Sequence, residues 1–155
     1  MTTATRDSGW MTQVEKDLKR HEGCDLKAYW DDVGKVWTIG YGHTGREVVR
    51  GLVITQDKAD AYLREDMMEA YEDAKFLMPN WDTHNVVRKG VLVNMAFNLG
   101  RDRLGKFKNT LAMIRNHDYA SAAVGMLNSL WAKQVKGRAK ELAERMATGK
   151  IKERK

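Results

Sequence analysis

Met11, Val14 and Leu18 recur at three- to four-residue intervals, with Glu22 at the next step. That period predicts a helix over about 10–22. Gly23 follows where a helix leaves through a left-handed residue, which puts Glu22 in the last turn. From 24 to 54 the pattern changes. The runs "KAYW", "KVWTIGYG" and "REVVRGLVI" are β-branched and aromatic, separated by Asp, Gly and Thr. They predict a small antiparallel sheet over about 23–54, with a turn at Asp32-Val33-Gly34. A long helix is expected over about 55–78, capped by Thr55, with Asp57 in its first turn and Pro79 as its stop. At 1.5 Å per residue it spans roughly 30 Å. Residues 85–99 are apolar on nearly every face, the mark of a buried helix, and Gly100 ends it. Shorter helices are expected near 108–116, 119–131 and 138–148, with Gly149 as the final stop.

These elements describe an α+β chain read as a single domain over 1–155. A small antiparallel sheet lobe is joined by the long helix to an α-helical lobe over about 80–155. No internal repeat or low-complexity tract interrupts this order. Hydrophobic residues make up 43% and charged residues 31%, ordinary for a globular domain. No apolar run approaches the roughly 18 residues of a membrane span. The segment "MTTATRDSGWMTQVEKDLKR" has no apolar stretch of signal-peptide type, so cytosolic synthesis and retention are expected. One cysteine, Cys24, excludes a disulfide within the chain. The net charge of +6 favours anionic partners: nucleic acid, acidic lipid or an acidic wall polymer. No nucleic-acid motif accompanies the charge, so nucleic acid is not expected as a partner.

The hairpin gathers the chemistry. Glu22 ends a helix, Asp31 and Asp32 precede a glycine turn, and Thr38 lies in the following strand. Paired carboxylates suit glycoside hydrolysis, where one donates a proton to the leaving oxygen and the other, ionised, activates water or attacks the sugar. A helix C-terminus favours the protonated partner and an amide-rich turn the ionised one.

The pattern "EG…LKAYWD..GK.WTIGYGHTG" closely resembles the phage-type lysozymes. The resemblance continues through "NMAFNLGRDRLGKFKNTLAMIRNHDYASAA" and "LNSLWAKQVKGRAKEL" and covers about residues 12–148. It implies a lysozyme-like fold and muramidase activity on the β-1,4 bond between N-acetylmuramic acid and N-acetylglucosamine of peptidoglycan. By resemblance Glu22 is the general acid, an Asp after "AYW" positions or deprotonates the attacking water, and Thr38 holds that water. Inversion is implied, which needs carboxyls roughly 6.5–9.5 Å apart. An endolysin without an export signal would wait in the host cytoplasm for release by a holin. No cofactor or metal is implied, and a monomer is the default.

One spacing departs from the family's Glu-x8-Asp-x5-Thr. Glu22 to Asp31 is x8, but Asp31 to Thr38 is x6; Asp32 restores x5 to Thr38 at the cost of x9 from Glu22. The pattern Tyr29-x-Asp31-x-x-Gly34 favours Asp31, with the added residue near Lys35-Val36, and Asp32 stays the alternative. Adjacent strand residues face opposite sides, so a regular strand cannot aim both into one site.

The resemblance also assigns Arg138 as the arginine approaching the acid from the helical lobe, and Asn98, Phe107 and Asn128 as substrate contacts. It pairs His43 with Asp66 in a structural role. His21, His84 and His117 lack ligand spacing, and Cys24 is read as a thiol without a role. Residues 136–155 carry eight Lys or Arg against three Glu, a basic end suited to an anionic envelope surface. A lytic transglycosylase and an inactive glycan-binding module are the rival readings. Asp31 and Thr38 weigh against the first, and the altered spacing favours the second.

Overall fold

A computed structural model of the chain describes residues 3–152, with side chains described from Met11 onward. Two compact units emerge: a hairpin unit, Thr12–Glu69, and a helical unit, Met1–Met11 with Ala70–Lys155.

Helix α1 runs Thr3–Glu22, so it begins seven residues before the expected start. Residues 3–9 carry no apolar period, which is why pattern reading passed over them. Val14 and Leu18 bury its stripe. Between them Asp17 is buried too, accepting from Gln13 Nε2 and Arg20 Nη2, each at 3.1 Å. Gly23, at φ +67°, turns the chain out, and its N–H donates to Lys19 O at 3.2 Å. Strand β1, Asp25–Asp31, pairs antiparallel with β2, Val36–Gly40. The pairs are Asp31–Val36, Trp30–Trp37, Tyr29–Thr38 and Asp25–Gly40. Between the last two, three residues of β1 oppose the single Ile39 of β2, an irregularity that bends the ribbon.

The expected strand in "REVVRGLVI" does not form. The sheet has two strands, and Lys27–Val53 is an isolated bridge. Gly51, at a φ of 89°, breaks the run into turns. Even so, the segment docks through Ala28 N–H to Leu52 O and Ile54 N–H to Leu26 O, both at 2.9 Å. It delivers Val48 to a core with Ala28, Ile39 and Tyr62, flanked by Trp37, Leu52 and Ile54. Each fully buried Ile or Val there contributes about 1.5–3 kcal/mol. Helix α2, Gln56–Leu77, starts as expected: Thr55 Oγ1 accepts from Lys58 N at 3.1 Å.

The helical unit packs α3 (Val86–Gly105), α4 (Lys108–Arg115), α5 (Tyr119–Leu127), α6 (Leu130–Val135) and α7 (Gly137–Thr148). Its centre is built from Leu92, Met95, Leu104, Ile114, Met126, Leu142 and Met146. A 3₁₀ turn at Trp81–Thr83 precedes α3 and is not legible in the periodicity. Gly100 does interrupt α3, at φ 80° and ψ 167°, but helix resumes to Gly105 instead of stopping. The single helix expected over 119–131 is two. Ser129 Oγ accepts from Ala132 N at 3.1 Å and caps a new helix, so the apolar period continues while the axis changes. Gly149 closes α7 at φ 70°. Asn85 Nδ2 donates to Gly149 O at 2.9 Å and Arg88 Nε to Met146 O at 2.7 Å, satisfying carbonyls that the end of α7 leaves open. No helix among the described residues is long and apolar enough to cross a membrane.

Candidate active site

In the hairpin unit Glu22 is the last residue of α1, and its carboxylate lies against the turn after β2. A Cβ on Gly42 would stand 3.6 Å from Glu22 Oε2. Gly42 has φ +89°, a conformation that costs a side-chain-bearing residue roughly 1–2 kcal/mol. The chain can therefore double back beside the acid only with glycine there. Gly40, in the same turn, pairs with Asp25, so Glu22 stands near the Asp25 end of the hairpin.

Asp31 stands at the other end. It is the last residue of β1, half-buried, and its Oδ1 accepts from Val33 N at 3.0 Å. A Cβ on Gly34 would lie 2.9 Å from Oδ2, so the turn needs glycine for the carboxylate to rest on it. Lys35 carries a left-handed φ of 56° and donates its N–H to Asp31 O at 2.7 Å, closing a four-residue loop before Val36. Asp32 is the first loop residue and is exposed. Thr38 is buried, its Oγ1 donating to Val36 O at 3.3 Å. A hydroxyl spent as donor this way still has a lone pair to accept a hydrogen bond.

Residues directly opposite in an antiparallel pair share a face, as do residues two apart. Tyr29, Asp31, Val36 and Thr38 therefore share one face. Trp30 and Trp37 take the other, with ring centroids 5.6 Å apart, edge to face. In the sequence Tyr29 served only to mark the pattern that favours Asp31 and was not read as a site residue. Burial, then the negative charges of Asp25, Asp31 and Glu22, hold its hydroxyl above the ordinary tyrosine value. Its i, i+2 relation to Asp31 was the available signal.

His43 follows the Gly42 turn and is buried. Its Nδ1 meets Asp66 Oδ2 at 2.8 Å, as expected, and its Nε2 meets Glu47 Oε1 at 2.6 Å, which was not foreseen. Burial lowers its proton affinity, but the two carboxylates outweigh burial and the net direction is up. Cys24 is exposed. Among the described residues no group of three His, Cys, Asp or Glu could hold a metal ion.

The helical unit carries the other four residues. Arg138 Nε donates to the buried Asn94 Oδ1 at 3.0 Å. Asn98 Oδ1 accepts from Trp131 Nε1 at 2.7 Å. Phe107 meets Trp131 edge-on, centroids 6.3 Å apart, and both line a cavity of about 340 Å³ with Leu99, Arg103 and Lys106. Trp131 thus links Asn98 to Phe107, a role its apolar surroundings in sequence concealed. Asn128 ends α5 through its backbone N–H and is exposed; the cavity does not include it.

Set beside known proteins, residues 19–148 match the family model described as phage lysozyme. This chain belongs to the phage lysozyme family. The match takes in both the hairpin carboxylates and the Trp131 cluster. The chain is 31% identical over 171 residues to the pre-baseplate central spike protein Gp5 of Enterobacteria phage T4, covering 95% of this chain and 29% of that protein. It is 35% identical over 120 residues to the endolysin of Salmonella phage P22, covering 75% of this chain and 78% of that one. A probable T4-type lysozyme 2 of Dictyostelium discoideum is 26% identical over 170 residues, 94% and 99% of the two chains. The chain therefore spans under a third of the spike protein, and 34% of an endolysin from Acyrthosiphon pisum secondary endosymbiont phage 1, but nearly all of the probable T4-type lysozyme 2.

Proposed function

We propose that this lysozyme hydrolyses the β-1,4 bond between N-acetylmuramic acid and N-acetylglucosamine of peptidoglycan, with inversion, and acts as an endolysin in host-cell lysis. Glu22 protonates the glycosidic oxygen. Asp31 takes a proton from the attacking water, which Thr38 holds by accepting its second hydrogen. The pairing register carries this reading: Asp31 and Thr38 share a face, and Glu22 lies against the turn at the far end of the same hairpin. Asp31 is favoured over Asp32 because it belongs to the strand and its carboxylate is oriented by Val33 N–H, whereas Asp32 lies in the exposed loop. On the helical unit Arg138, Asn98, Phe107 and Asn128 serve substrate binding or its support. As an endolysin the chain would remain in the host cytoplasm until a holin admits it to the wall, and it would act as a monomer.

Digestion of Gram-negative peptidoglycan with wild type, Glu22→Gln, Asp31→Asn and Asp32→Asn, followed by mass spectrometry of the ends, tests the reading. Reducing muramic acid ends, lost by at least a hundredfold with Glu22→Gln and Asp31→Asn but not Asp32→Asn, are expected. Anhydro ends would mean transglycosylation, and no cleavage would leave a glycan-binding module.

The similarity to a spike protein over 95% of the chain favours a second setting for the same chemistry, a lysozyme carried on the virion. Antibody detection in purified, nuclease-treated virions distinguishes it from a lysis protein.

A further inference from the structure

The hairpin face needs hydrogen-bond donors as well as acceptors. A sugar bound across it offers hydroxyl and acetamido oxygens that lose water and must be compensated. Of the groups on that face, Asp31 when ionised accepts only, Val36 is apolar, and the Thr38 hydroxyl already donates to Val36 O. Glu22 has one proton, committed to the leaving oxygen in the proposed reaction. Tyr29 sits on this face directly opposite Thr38 and two residues from Asp31. It lies between the Asp31 end of the hairpin and the Asp25–Gly40 end, where Glu22 rests against Gly42. Tyr29 is 40% exposed, and among the described residues nothing accepts from its hydroxyl.

We propose that Tyr29 is a substrate-contacting residue whose phenol O–H donates to an exocyclic oxygen of the sugar at the bond being cleaved. The ring oxygen is excluded, because it gains positive charge in an oxocarbenium-like transition state and a donor aimed at it would oppose that charge. Burial, and then the flanking Asp25, Asp31 and Glu22, disfavour loss of the phenol proton, so the group stays a donor through the working pH range. The exposed face of the ring adds a flat apolar surface of the kind a pyranose covers. This inference rests on the muramidase reading.

The test compares Tyr29→Phe with wild type for kcat/KM on purified peptidoglycan. In a Glu22→Gln background it also compares binding of the N-acetylglucosamine trisaccharide by calorimetry. A drop of about tenfold in kcat/KM and at least fivefold weaker binding are expected, with Tm and near-UV circular dichroism unchanged. Tyr29→Leu, which also removes the ring, should bind no better than Tyr29→Phe. Equal turnover and equal trisaccharide affinity for Phe and Tyr would overturn the assignment while leaving the muramidase reading intact. A Glu22→Gln parent that binds no trisaccharide would overturn it as well. If wild type fails to cleave peptidoglycan, the muramidase reading falls, and the binding comparison still decides whether Tyr29 contacts sugar.

Discussion

His84 is buried with both ring nitrogens engaged, Nδ1 at 2.7 Å from Tyr119 Oη and Nε2 at 3.1 Å from Asn80 Oδ1. Burial, then His117, Arg88 and Lys89, push it down to about 4. The unfolded chain, near the ordinary 6.5, binds that proton first, so stability should fall as pH drops from about 6.5 towards 4. The loss should be of order 1–2 kcal/mol after discounting for solvent screening, read as a lower Tm. His84→Gln should flatten that acid limb. His43 works in the opposite sense. Its proton affinity is raised in the folded state, so its contribution is present below about 6.5 and is lost as pH rises through the folded value. Glu47→Gln should therefore shrink the fall in Tm on the alkaline side. Glu47 was not singled out in sequence as a partner, because the i, i+4 pair lies in a loop, where a turn with Gly45 at positive φ and not a helix brings the two together.

At the scale of elements, the turn between β1 and β2 absorbs the unusual spacing. Lys35 carries left-handed strain, and Tyr29–Thr38 pair beyond it. If the added residue belongs to the turn, a Lys35 deletion should keep the Tyr29–Thr38 register and hold activity within a few-fold. A Tyr29–Thr38 cross-peak missing from the NMR spectrum of the deletion variant would show that the strands had slipped. Helix caps are the other element-scale determinant. Thr55 was legible because Thr followed by Asp is a start signal, and Thr55→Ala should cost about 1 kcal/mol in urea unfolding. Ser129 was missed, since its cap interrupts an apolar period that runs through from one short helix to the next. Periodicity reports which face is buried and not whether the axis has turned.

For the molecule as a whole, the charge of +6 is the property that partner and solution conditions read. Part of the basic end is already spent within the fold. Arg145 Nη2 lies 3.2 Å from Glu141 Oε1, and Arg138 binds Asn94. Truncation after Thr148 would be a poor test of the rest, because Gly149 ends α7 and accepts from Asn85. Replacing Lys150 and Lys152 by Gln leaves those contacts in place. If the end attracts the chain to an anionic surface, the double variant should lose activity on intact envelopes several-fold at low salt and match wild type at 0.5 M salt, where charges are screened beyond about 5 Å. Activity on soluble glycan fragments should be unchanged.

Local physics was enough to determine the α+β class, the helix that ends at Glu22, the capped start of α2, the turn before Gly34 and the residue types able to carry acid–base chemistry. Each depends on near neighbours in the chain: a period, a cap, a glycine. The lysozyme resemblance was likewise legible, because the family's hairpin motif is continuous in sequence. Other features depended on tertiary packing. The third strand of the hairpin unit failed because docking through Ala28 and Ile54 leaves no continuous ladder along a run broken by Gly51. Which Asp lies on the face of Thr38 followed from pairing register, since a shift of one residue exchanges the faces. Trp131, between Asn98 and Phe107, joins residues that no periodicity relates. Contacts of that kind are set by how elements pack, so they became visible only in three dimensions.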